Sequence, residues 1–151
     1  MYKRQYQVTG YLTESSRVTD FTGVPDSQSD ARGYLFANGK FQFSPEWSTT
    51  ASVRLATDRT FLRRYDISRD DRLRSTINAE RIDDNSYLSI AGWATQTLRI
   101  NADQGQIPVA IPAIDYRRRI EDPLAGGTIE LQANTLSLLR TDGQDLSLIH
   151  I

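Results

Sequence analysis

Along this chain, apolar and polar residues alternate with a period of two in long stretches separated by polar, turn-forming connections. The alternation is clearest over Asp71–Ile82, where Leu73, Ser75, Ile77 and Ala79 fall on one face and Arg74, Thr76, Asn78 and Glu80 on the other. It recurs over Gly127–Arg140, with Ile129, Leu131 and Ala133 opposite Glu130, Gln132 and Asn134. Ser86–Arg99 is fairly apolar on both faces, Tyr87, Ala91 and Trp93 opposing Leu88, Ile90 and Ala94, which leaves its orientation open. In all, seven segments have strand character: about Tyr6–Leu12, Ala31–Ser44, Thr49–Asp58, Asp71–Ile82, Ser86–Arg99, Val109–Ile120 and Gly127–Arg140. None carries a helical period.

The connections alternate between long and short: Thr13–Asp30, Pro45–Ser48, Arg59–Asp70, Asp83–Asn85, Ile100–Pro108 and Glu121–Gly126. Outer-membrane barrels have this pattern, tight turns on the periplasmic rim and longer loops outside. Most segments run 10 to 14 residues, beyond the mean of about 5–6 for strands of globular proteins and long enough for a tilted strand to cross a bilayer. Phe43, Trp47, Tyr87 and Tyr116 fall near strand ends, where interfacial aromatic girdles sit. The pattern therefore predicts an all-β chain, an antiparallel up-and-down meander of about seven strands, and is compatible with an open piece of a large transmembrane β-barrel. A soluble β-sandwich shares the alternation, and pattern alone leaves the two open.

Composition narrows the function classes. With 38% hydrophobic and 25% charged residues over 151 positions, the chain is of folded type. It contains no run of about 18 uncharged apolar residues, so any passage through a membrane must use strands. The absence of cysteine removes disulfides and thiolate chemistry. A net charge of −1, with basic and acidic residues interspersed, argues against a nucleic-acid partner.

Both ends look foreign. Met1–Gln5 and Leu146–Ile151 resemble translations of the two strands of a transposon end used to build sequencing libraries, one strand reading Leu-Ser-Leu-Ile-His-Ile and the other Val-Tyr-Lys-Arg-Gln, with Met when GTG starts translation. On that expectation residues 6–145 form a partial outer-membrane barrel domain, and 1–5 and 146–151 are library artefact. Without Lys3 and Arg4 the count becomes 16 basic against 19 acidic residues, a net charge of −3, and the one histidine, His150, falls in the foreign tail.

The segment Thr57–Ile82, TDRTFLRRYDISRDDRLRSTINAERI, changes the odds. Phe61, Leu62, Tyr65, Asp66, Ser68, Asp70, Asp71, Arg72, Leu73, Arg74, Ser75, Glu80 and Arg81 match a recurrent pattern of the form FL..YD.S.DDRLRS...ER. YLSIAGWATQTLR follows in order, then Gln106 and Pro108 in GQIPVAIPAIDYR, then DPLAGGTIELQANTLSLLR ending in GQD. Together these span most of Tyr34–Asp145 and resemble the lipopolysaccharide-assembly outer-membrane protein family (LptD, organic solvent tolerance protein), in wording similar to alphaproteobacterial members. Tyr6–Gly33 matches weakly.

The resemblance implies a cell outer-membrane location in a Gram-negative bacterium and a transport function without catalysis: insertion of lipopolysaccharide into the outer leaflet. It further implies a plug lipoprotein (LptE-like) and periplasmic lipopolysaccharide-bridge proteins reached through a jelly-roll domain. The family's lateral exit gate, formed by its first and last strands, is expected to lie outside this segment. The alternatives are another outer-membrane barrel, such as a porin or receptor, and a secreted β-sandwich binding carbohydrate or protein.

Candidate sites are weighed against plainer readings. Asp66, Ser68, Asp70 and Asp71 space oxygen ligands as a calcium loop does, yet Asp71 stands where an EF-hand needs Gly and Ile77 where it needs Glu; a loop salt-bridged to Arg63, Arg64, Arg69 and Arg72 fits better, and no metal is expected. Arg117 and Arg119 share a strand face with Asp115, and Arg118 points oppositely, placed to snorkel. Gly126 and Gly127 belong to no phosphate loop and suit a tight turn after Pro123. Enzymatic action would rest on a carboxylate pair such as Glu80 and Glu130; no catalytic residue and no cofactor is expected. The lumen of the barrel is expected to be lined by Arg74, Asn78, Glu80, Asp115, Arg117, Arg119, Glu130, Gln132 and Asn134, with Leu73, Ile77, Ile129 and Leu131 turned to lipid.

Overall fold

The computed structural model describes residues 3–16, 29–122 and 126–141. Seven strands occupy nearly all of them: β1 (Arg4–Ser16), β2 (Ser29–Gln42), β3 (Trp47–Ala56), β4 (Arg72–Asp83), β5 (Ser86–Thr97), β6 (Val109–Glu121) and β7 (Thr128–Leu139). They form one sheet in the order β1-β2-β3-β4-β5-β6-β7, each antiparallel to its neighbour. Each strand pairs with its sequence neighbour: every second link is a tight turn, and among the described residues no link holds a helix of crossover length. A single open meander replaces the β-sandwich alternative, which needs two packed sheets. No helix among the described residues is long and apolar enough to cross a membrane.

The short links lie at one end. Two residues, Asp84 and Asn85, join β4 to β5. Between β2 and β3, the Phe43 N–H donates to the Trp47 carbonyl (3.0 Å), and the Ser44 hydroxyl accepts from the Trp47 N–H (3.0 Å). Ahead of β7, Gly126 adopts φ +75, a conformation that favours glycine, and donates to Asp122 Oδ1 (2.8 Å); Pro123 lies outside the described residues. So do Met1, Tyr2, most of the Thr13–Asp30 connection, and Leu146–Ile151 with His150. Arg4 and Gln5 extend β1, opposite Phe41 and Lys40.

Register breaks in the interior on both sides of β6. Between β5 and β6 the pairing shifts between Ala91 and Trp93, and between β6 and β7 it shifts between Ala110 and Ala113. The skipped residues include Pro112, which has no N–H to give a ladder, so a bulge is where a central strand tolerates it. Gly92 sits opposite: a Cβ there would stand 3.3 Å from the Ala110 carbonyl oxygen.

At the long-loop end the structure departs from simple alternation. The β3–β4 ladder stops at Ser52↔Thr76, and side chains take over: the Ser75 hydroxyl accepts from the Arg54 N–H (3.0 Å), while the Gln96 amide accepts from the Ala56 N–H (3.0 Å) and donates to its carbonyl (2.7 Å). The connection beyond Ala56 folds into a short helix, α1 (Phe61–Arg64), and the connection before β6 into a 3-10 turn at Gln104–Gln106; neither was expected. Phe61 and Leu62 pack with Tyr34, Ala56, Leu73 and Leu98 in the main buried cluster. Leu73 is wholly buried there, which corrects its expected place toward lipid. With the β3–β4 ladder ended, the strands no longer close against each other, and Leu73 fills the space beneath α1.

Candidate functional site: the polar sheet face and the loop that caps it

Cross-strand partners point to the same side of a sheet, so the register assigns every strand residue to a face. Glu80 pairs with Ser89, which pairs with Asp115, which pairs with Asn134. One step nearer the short turns the row is Ile82, Tyr87, Arg117 and Gln132, followed by Arg119 and Glu130. Arg74 and Asn78 share the face of Glu80. All nine residues expected to line a lumen therefore lie on one face, and Ile77, Ile129 and Leu131 lie on the other.

The two faces differ in where they carry charge. The polar face bears twelve of the seventeen charged residues of the described strands, and two of them, Asp115 and Arg117, lie more than three residues from either end of their strand. The apolar face bears only Arg4, Glu14, Arg81, Asp83 and Arg118 among the described strand residues, each within three residues of a strand end.

On the polar face the side chains bond to one another in a continuous band. Asn78 donates to Glu80 Oε1 (2.9 Å) and accepts from the Ser89 hydroxyl (2.8 Å); the Tyr87 hydroxyl donates to the same Glu80 oxygen (3.3 Å). Arg117 pairs with Asp115 (2.8 Å) and lies over the Tyr87 ring, 5.9 Å from its centroid. Asn134, with its amide nitrogen toward the carboxylate, donates to Asp115 Oδ1 (2.8 Å), and Arg119 faces Glu121 (3.6 Å). Arg74 stacks on Trp93 at 4.6 Å. Glu80 and Glu130 sit on strands three apart, about 14 Å at the usual strand spacing, and in different rows. They form no facing carboxylate pair.

One feature of this face escaped the pattern. In β7 the alternation inverts after Asn134, so Leu136 and Leu138 join Trp93, Ala110 and Ala113 on the otherwise polar side. Leu136 remains 52% exposed.

The 57–71 connection folds back over the polar face at its long-loop end. Its anchor is Arg32 of β2, a residue that sequence reasoning passed over. The guanidinium is fully buried and grips Asp58 through two hydrogen bonds, Nε to Oδ2 (2.7 Å) and Nη2 to Oδ1 (2.8 Å), and donates to Thr60 Oγ1 (3.0 Å). It also lies over the Phe61 ring at 5.8 Å. Burial by itself pushes the Asp58 carboxyl up, but the hydrogen bonds from Arg32 and Thr60 outweigh it and hold the group below its usual 3.8. Farther along, the Tyr65 hydroxyl meets Ser15 Oγ (3.3 Å), a bond that draws the phenol below its usual 10.0.

The acidic cluster is tied down by other partners than those expected. Asp70 pairs with Arg54 of β3 and Asp71 with Arg99 of the next connection, and these bonds hold both carboxyls below their usual range. The loop is thus stitched to the sheet and to its neighbouring loop. Among the described residues no group of three or more His, Cys, Asp or Glu side chains is arranged to hold a metal ion.

No curated protein and no solved structure matches the chain. Residues 30–147, well over half of it, match the family model of LPS transport system D (LptD), over a span that includes the polar band, the α1 connection and the arginine that anchors it. The chain belongs to the LPS transport system D family and is accordingly a part of an outer-membrane transport protein that inserts lipopolysaccharide, not an enzyme.

Proposed function

We propose that the polar face lines the lumen of the transport barrel, and that Arg74, Asn78, Glu80, Asp115, Arg117, Arg119, Glu130, Gln132 and Asn134 form a hydrated wall along which the saccharide portion of lipopolysaccharide passes. The observation that carries this reading is the division of charge: twelve of the seventeen charged residues of the described strands lie on one face, and the five on the other are all within three residues of a strand end. A charge facing the bilayer midplane costs roughly 2–4 kcal/mol for Arg or Lys, whereas water and neighbouring counter-charges solvate the same group in a lumen. The internal pairing of Arg117 with Asp115, and of Asn78 with Glu80, leaves a wall of hydrogen-bonding groups without a strong net field. Such a wall suits a passing polyhydroxylated, phosphorylated chain better than a tight binding site does.

In this reading residues 6–145 are consecutive strands of the barrel. The partners are lipopolysaccharide, a plug lipoprotein of the LptE type within the barrel, and periplasmic bridge proteins that deliver lipopolysaccharide through the jelly-roll domain. Photo-crosslinking in cells tests it. A benzophenone amino acid placed at Asn78, Glu80 or Gln132 of the full-length protein is expected to capture lipopolysaccharide, and the adduct is expected to vanish when lipopolysaccharide synthesis is stopped. Failure of all three positions to capture it, in protein that still supports growth, overturns the assignment.

A further inference from the structure

The charged residues of the apolar face are not spread evenly between its two ends. Glu14 lies toward the long loops; Arg4, Arg81, Asp83 and Arg118 lie toward the short turns. Arg81 is satisfied within the protein, by Glu46 (3.2 Å) and Asp83 (3.2 Å). The Arg118 side chain makes no hydrogen bond or ion pair among the described residues and is exposed. Its cross-strand neighbours are Ser86 and Leu131, and its neighbours along β6 on the same face are Tyr116 and Ile120. The carboxylate of its own row, Asp83, pairs with Arg81 (3.2 Å), so this permanent cation among Tyr, Leu and Ile side chains is open to an anion from outside the chain.

The aromatic residues give its depth. Trp47, Arg81, Leu88 and Tyr116 form one row of cross-strand partners, and interfacial Trp and Tyr rings sit at headgroup level. Arg118 lies two residues nearer the short turns than Tyr116, about 7 Å farther along the strand, and a flexible arginine stem extends its charge farther still. That depth is the level of lipid phosphates, and the short-turn rim of an outer-membrane barrel faces the periplasmic leaflet.

We propose that Arg118, flanked by Tyr116 and Ser86, binds the phosphodiester of a glycerophospholipid in the periplasmic leaflet and fixes the depth of the barrel wall there. The proposal rests on the apolar face being the lipid-facing one. Ser86 supplies a hydroxyl beside the guanidinium for a second phosphate oxygen, while Leu131 and Ile120 lie alongside as a bed for the glycerol and the upper acyl chain.

The test uses the full-length protein with its partner lipoprotein, purified in detergent and titrated with phosphatidylglycerol under native mass spectrometry. Diacylglycerol with the same chains and lipopolysaccharide serve as separate arms, and heat-modifiable gel mobility checks folding of each variant. Arg118→Gln is expected to weaken phosphatidylglycerol retention about fivefold, the factor for one basic group near the headgroups. Arg118→Lys is expected to retain most of it, and diacylglycerol binding is expected to be the same in all. Unchanged phosphatidylglycerol retention in folded Arg118→Gln overturns the proposal, as does loss confined to lipopolysaccharide. Should Arg118→Gln not fold, equal loss of phosphatidylglycerol and diacylglycerol in Arg118→Lys overturns it instead. Arg117→Gln, on the opposite face, separates the two readings: loss there with none at Arg118 means that the faces are inverted, whereas loss at neither position removes the phosphate site alone.

Discussion

Removing Asp58 is the sharpest perturbation of the cap over the polar face. In Asp58→Ala the Arg32 guanidinium keeps its buried position and loses both carboxylate bonds (2.7 and 2.8 Å), while its bonds to the Thr60 and Ser15 hydroxyls remain. Removing one partner of a buried ion pair costs about 3–5 kcal/mol. Asp58 itself keeps 15% of its side-chain surface, which places the expected cost at the low end, about 3 kcal/mol, or roughly a hundredfold in an opening equilibrium. Hydrogen exchange in the full-length protein reads this directly. Protection of the Tyr65 and Ile67 amides, which bond to Phe61 and Leu62 carbonyls (3.2 and 2.9 Å), is expected to fall by about that factor, while the Ile77 amide in the β4–β5 ladder keeps its protection. The paired replacement Arg32→Met with Asp58→Leu is expected to restore most of the protection, because it removes both charges together. A loss below threefold in Asp58→Ala refutes the idea that this pair holds the loop.

Two further outcomes follow from the same geometry. Because the folded Asp58 carboxyl titrates below its usual 3.8, its contribution is fully present above that pH and is lost as pH falls through the lower folded value; loop protection is expected to drop below about pH 3.8 in the native protein and to drop less in Asp58→Asn, where Asp70 and Asp71 still titrate in that window. Leu73→Ala opens a cavity beneath α1 costing about 2–5 kcal/mol, so trypsin cleavage at the exposed Arg63 and Arg64 is expected to quicken at least tenfold, whereas Ile77→Ala, at an exposed position on the apolar face, leaves the rate unchanged.

Strands and their order were legible because both signals are local: a period of two within each segment and turn chemistry between segments. The faces of β4 and of β7 up to Asn134 could be read for the same reason. The same rule misplaced Leu73, since alternation assigns a face only while a neighbouring strand continues the ladder, and the ladder ends at Ser52↔Thr76. The inversion at Leu136 and Leu138 was missed because the clean pattern of Ile129–Asn134 drew the reading to a stop before it. Arg32 stayed hidden for a different reason. Its partner Asp58 lies 26 residues away, and an isolated arginine in a strand gives no sign of being buried. The family motif marked the partner's loop through Phe61, Leu62 and Tyr65, but motif matching says where a segment recurs and not what grips it. The expected partners of Asp70 and Asp71 were likewise drawn from nearby sequence, whereas Arg54 and Arg99 come from a strand and a loop that only the folded sheet brings close.

In the proposed function, one face of this sheet meets water in a lumen and the other meets lipid. Site-directed spin labels at Ile77, Asn78, Leu131 and Gln132 of the full-length protein in liposomes test it most directly, by relaxation with oxygen, which concentrates in lipid, and with a water-soluble nickel chelate. High oxygen and low nickel accessibility is expected at 77 and 131, and the reverse at 78 and 132. The opposite phase, or no alternation between adjacent positions, contradicts it.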